Sequence, residues 1–142
     1  MNMKQVSSVI NVKENLIKIN KMKDKLQNVV DKMGLIEASS SLGLPIKKIV
    51  DILDLQLKTF DDLEFEPFRS GVSSKIIFDN GFGASIVRHE NSYGGTKGLY
   101  ELAVLDKDGY LNYDTPITDD VLGYLTPEKV TEILIQIQDL KN

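Results

Sequence analysis

The chain has 142 residues, 42% of them apolar, enough for one compact domain or two small ones with a real core. It contains no cysteine and one histidine, His89, which excludes disulfides, thiolate nucleophiles and Cys-ligated zinc and argues against a histidine metal cage. The net charge of −4 is unevenly divided: residues 1–60 carry ten lysines against six acids (+4), whereas residues 61–142 carry seven basic residues against fifteen acids (−8).

No apolar run approaches the roughly 20 residues of a bilayer span. The opening MNMKQVSSVINVKENL is too polar for a secretory signal, so a cytoplasmic protein with no membrane partner is expected. Val12, Leu16, Ile19, Met22, Leu26, Val29, Val30 and Met33 recur at steps of three and four, which predicts an amphipathic helix of about five turns. Lys13, Lys18, Lys21, Lys23, Lys25 and Lys32 fill much of its other face, either as a solvated basic surface or as a nucleic-acid surface. The nearly 3.5-residue spacing also permits a partner helix and hence a homodimer.

Gly34 should end that helix. GLIEASSSLGLPIKKIVDILDL (34–55) then reads as two short helices around a Leu42-Gly43-Leu44 turn, the second opened by Pro45 in its first turn. This stretch of about twenty residues resembles a helix-turn-helix motif, with small residues at Ala38 and Ser39, Gly43 in the turn, and Leu42, Leu44, Ile49 and Ile52 at core positions. The resemblance implies that Ile46, Lys47, Lys48, Asp51 and Asp54 are exposed on the second helix, with Lys47 and Lys48 contacting DNA. The same core pattern also serves a purely structural helical hairpin.

Residues 61–73 lack a period and hold Pro67 and Gly71, so they are expected to link a helical region, 1–60, to a second region, 74–142, with Leu63, Phe65 and Phe68 packed against one of the two. There the period changes to two. Lys75–Asp79 and Ala84–His89 flank Asn80-Gly81, Leu99–Leu105 forms a third strand, and Tyr110–Tyr113 a short fourth strand after an Asp106–Gly109 turn. Two helices should follow, a short one capped by Thr118 or Asp119 and ending near Gly123, and a longer one capped by Thr126. The expected fold is α+β: a helical, helix-turn-helix-like segment, then a small antiparallel β-meander with a C-terminal helix.

The stretch Tyr93-Gly94-Gly95-Thr96-Lys97-Gly98 invites a phosphate-cradle reading, but such a loop requires a following helix, and Leu99, Glu101, Ala103 and Leu105 alternate as a strand does. It is expected to be an inter-strand loop, with a backbone anion nest left open near Arg88 and Lys97. His89 beside Glu90 reads as a polar strand end, since no nucleophile is placed beside it. DKDGYLNYDTPI lacks the ligand spacing of a calcium loop, so its acids read as turn formers. The aromatics of this half, Phe82, Tyr93, Tyr100, Tyr110, Tyr113 and Tyr124, suit either a half-exposed sheet or a contact surface. No metal or cofactor is expected.

NGFGASIVRHENSYGG, followed by GLYELAVL and YDTPITDDVLGYL, resembles a small domain of uncharacterised bacteriophage proteins over about Ile76–Leu140. The resemblance implies a phage origin and expression in the host cytoplasm, without a defined activity. Together these readings lead to the expectation of a non-enzymatic phage accessory protein in transcription-related regulation, binding DNA or a host protein. Phe82, Arg88, Tyr93 and Lys97 are the expected ligand or partner contacts. The alternative is an anti-defence protein that sequesters a small anionic signalling nucleotide or blocks a host defence protein.

Overall fold

The computed structural model describes Met3–Asn142, apart from the side chains of Lys4, Val6 and Ser7; Met1 and Asn2, part of the expected helical region, lie outside the described residues. The architecture is α+β, and the chain divides into two units between Leu55 and Gln56.

The first unit is helical. α1 (Met3–Met33) is longer at its N-terminal end than the apolar spacing suggested, and Gly34, with φ 87°, ends it. α2 (Leu35–Leu42) stops at Gly43, whose φ of 65° is the left-handed conformation that closes helix C-termini. Pro45 lies one position before α3 (Ile46–Ile52) as its N-cap, not inside the first turn. Among the described residues of this unit, Ala38, Ile46, Ile49 and Val50 are buried. Two sequence expectations therefore fail here: Ile46 is buried, not exposed on the second helix, and Leu42 is exposed, not core. A helix of two turns carrying Ile46, Ile49 and Val50 has a broad apolar face, and all three turn inward.

The second unit is a five-stranded antiparallel meander, β1 (Glu66–Phe68), β2 (Gly71–Ile77), β3 (Gly83–Arg88), β4 (Tyr100–Leu105) and β5 (Leu122–Leu125), followed by α4 (Pro127–Gln138). The strands alternate as a half-covered sheet requires: Ala84 and Ile86 of β3 and Tyr100, Leu102 and Val104 of β4 face one way. Val130, Ile133, Leu134 and Ile137 of α4 pack into that face. Thr126 caps α4 by accepting from the Lys129 amide at 3.2 Å, with Pro127 next to it.

The 61–73 stretch belongs to the second unit. It holds the second half of a 3-10 turn (Phe60–Asp62), all of β1 and the start of β2, and Phe60, Leu63 and Phe65 pack on the sheet core. Phe60, Phe65 and Tyr100 form a ring cluster with centroids 5.1–5.6 Å apart. The expected short helix ending near Gly123 is β5, and the expected strand Tyr110–Tyr113 shrinks to one bridge between Leu111 and Leu105. Thr118 and Asp120 accept from amides one or two residues ahead, so their oxygens close turns and start no helix.

Asn80, in the β2–β3 turn, has a role beyond the turn. Its Nδ2 donates to the carbonyls of Ile137 (2.8 Å), Gln138 (3.2 Å) and Leu140 (3.1 Å), closing the C-terminal end of α4.

Candidate functional site

The glycine-rich loop between β3 and β4 is built from hydroxyl and backbone bonds. Ser92, which is buried, accepts from the His89 amide at 2.9 Å and donates to the His89 carbonyl at 2.8 Å. His89 Nδ1 accepts from the Asn91 amide at 3.2 Å, and its ring lies 5.7 Å from that of Phe68. Ser92 and His89 are thus engaged with the backbone of one tight turn.

Of the paired glycines, Gly94 lets the loop close on β5 and Gly95 lets it close on its own His89 turn. A Cβ on Gly94 would come within 2.9 Å of the Tyr124 Cα, and Gly94 also has φ 91°. A Cβ on Gly95 would overlap the His89 carbonyl, and one on Gly123 would overlap the Cβ of Tyr93. Glycines in both segments allow the backbones to meet: the Tyr124 amide donates to the Tyr93 carbonyl at 3.0 Å. The Tyr93 amide in turn donates to Glu101 Oε2 at 2.8 Å. Tyr124 sits at φ 57°, an uncommon value for an aromatic residue, where the β4–β5 register shifts between Tyr100 and Leu102.

This packing joins two tyrosines through their backbones and leaves both outside the core. Tyr93 is 59% exposed and Tyr124 58% exposed. The exposed Lys97, in the short 3-10 turn Gly95–Lys97, holds its Nζ 5.8 Å from the Tyr124 ring centroid. The surface therefore offers two aromatic rings and one ammonium on a braced backbone.

Of the four expected contact residues, Tyr93 meets the Tyr124 backbone and Lys97 the Tyr124 ring, and Arg88 and Phe82 do not join them. Arg88 Nη1 donates to the Tyr100 hydroxyl at 3.0 Å and its guanidinium stacks 5.0 Å from that ring, so it closes the Phe60–Phe65–Tyr100 cluster. Tyr100 and Glu101 point to opposite faces of β4, which places Arg88 and the anchor of the Tyr93 loop on different sides of the strand. Phe82 packs on the sheet core at the other end of β3, roughly 20 Å of extended chain away from Arg88. Tyr124 is the member of the patch that spacing alone did not bring to Tyr93.

In the first unit Lys47 is ion-paired with Asp51 at 2.6 Å, one turn along α3, while Lys48 is exposed. Asp106 Oδ1 accepts from the amides of Asp108 (2.9 Å) and Tyr110 (3.0 Å), the work of a turn-forming acid. Among the described residues no group of three or more His, Asp or Glu side chains could hold a metal ion, and no helix is long and apolar enough to cross a membrane.

Comparison with protein-family models, with curated proteins and with solved structures found no match to the chain.

Proposed function

We propose that the protein is a non-enzymatic phage accessory protein that acts in the host by binding a host protein through the Tyr93–Lys97–Tyr124 surface. The observation that carries this reading is the exposure of two tyrosines on backbones that Gly94 and Gly123 allow to meet. A tyrosine has only two side-chain torsions to fix, so on a braced backbone it loses little freedom when a partner covers it, which is the property of an interface anchor. The phage context rests on the resemblance of residues 76–140.

The DNA-contacting form, transcription-related regulation through Lys47 and Lys48, has weaker support. A seven-residue α3 with Ile46 turned inward and Lys47 engaged by Asp51 offers few groups for bases or phosphates. Affinity capture from bacterial lysate, with and without nuclease, separates the two forms. Nuclease-resistant capture that is lost in Tyr93→Ala/Tyr124→Ala supports the protein-binding form, and nuclease-sensitive capture lost in Lys47→Ala/Lys48→Ala opposes it.

One observation favours a second reading, the sequestration of an anionic signalling nucleotide in an anti-defence role. The Lys97 ammonium beside the Tyr124 ring pairs a charge for a phosphate with a surface for a base. Thermal shift against a nucleotide panel tests it: a ligand at 100 times its dissociation constant adds about 2.7 kcal/mol.

A further inference from the structure

The upper part of α1 has an apolar seam that its own unit leaves uncovered. Val9, Val12, Leu16 and Ile19, followed by Lys23, Leu26, Val30 and Met33, step alternately by three and four residues, the a/d spacing of a coiled coil. The lower part is served from within the unit: α1 packs on α2, and Leu26 and Val30 are half-buried. Val9, Val12, Leu16 and Ile19 are instead 44–64% exposed. Beside them runs a mainly apolar groove of about 450 Å³, whose lining includes Ile19, Met22, Leu26 and Ile52 with the charged Lys23 and Asp51.

We propose that this seam is the dimer interface between two copies of the chain, paired antiparallel through α1. This inference is independent of the Tyr93–Tyr124 reading. The four exposed seam residues are symmetric about Glu14, so an antiparallel copy centred there sets Val9 opposite the partner's Ile19 and Val12 opposite the partner's Leu16. Each contact then occurs twice, as a two-fold interface requires. The same register puts Lys23 opposite the partner's Gln5, whereas parallel pairing sets Lys23 against Lys23 in the seam.

Charge selects the same orientation. Lys18, Lys21, Lys23 and Lys25 crowd the second half of the overlap, while residues 3–10 contain one lysine. Antiparallel pairing places the crowded half of each helix beside the lysine-poor half of the other, and it brings the partner's first turn toward the groove at Met22 and Leu26. About three heptads of overlap bury on the order of 1,000 Å² in total, the threshold of a specific interface, so dissociation in the micromolar range is expected.

The test uses the full chain. Sedimentation equilibrium should give twice the chain mass at high concentration, and Leu16→Asp should return the single-chain mass while matching the unfolding transition that the wild type shows when diluted to single chains, because Leu16 lies outside the core. Raising the salt concentration should tighten the dimer by screening the lysines. Since the chain has no cysteine, orientation is read by crosslinking. Oxidising a mixture of Val9→Cys and Ile19→Cys chains should give a mixed disulfide dimer, and neither variant alone should crosslink, because like residues lie about 15 Å apart along the axis. A single-chain mass for the wild type at all concentrations, or a disulfide dimer from Val9→Cys alone, overturns the proposal.

Discussion

The Tyr124 amide donates to the Tyr93 carbonyl at 3.0 Å, joining two segments separated by the whole of β4 and the turns after it. That bond explains the glycine-rich stretch. Gly94 and Gly123 are small because two backbones approach there, and the product of the approach is a braced pair of exposed tyrosines; Gly95 is small because it closes on the His89 carbonyl within the loop.

Substituting the close-approach glycines should therefore cost stability and reshape the patch together. Gly94→Ala adds a Cβ within 2.9 Å of the Tyr124 Cα at a positive φ, with an expected loss of about 2 kcal/mol. Gly98→Ala is the control for φ alone, since its Cβ meets open space at φ 75°, and it should cost about 1 kcal/mol. Thermal denaturation of both variants measures the difference, and equal losses would contradict the packing role of Gly94.

Asn80→Ala removes the donor that serves three carbonyls at the end of α4. A loss of about 1–2 kcal/mol is expected, with a fall in Tm of about 5–10 °C. Asn80→Asp should be worse, because it sets a negative charge against the negative end of the helix. Calorimetry on the two variants checks both the size and the order.

Lys47→Ala/Lys48→Ala should leave stability within about 0.5 kcal/mol, since the Lys47–Asp51 pair is exposed and screened. Duplex DNA retention at low salt should be equally weak for wild type and variant. A helix that read DNA through both lysines would instead lose about two units of salt slope on their removal.

The parts of the fold that follow from local pattern were legible in the sequence, and those set by distant partners were not. The three-and-four spacing from Val12 to Met33, the breaks at Gly34 and Gly43, the alternation along β3 and β4, and the Thr126-Pro127 start of α4 are local signals. Residues 118–125 carry a helix-start pattern at Thr118 and Asp119, yet pairing of Leu122 and Leu125 with β4 makes a strand, an override that only tertiary contact supplies. Phe60 and Phe65 gave no period because they pack on Tyr100, across the sheet. The same holds for the patch. Tyr93 and Lys97 stand in one loop and were legible as neighbours, whereas Tyr124 arrives through β5, and Arg88 is drawn away by the Tyr100 ring.

Capture from bacterial lysate by the wild type, Tyr93→Ala/Tyr124→Ala and Lys47→Ala/Lys48→Ala, each with and without nuclease, tests the binding role most directly. Both tyrosines are more than half exposed, so the first variant should keep the wild-type unfolding transition. The expected result is one host protein retained by the wild type and by the lysine variant, resistant to nuclease and lost with the two tyrosines. Capture unchanged without the tyrosines, or abolished by nuclease, would contradict it.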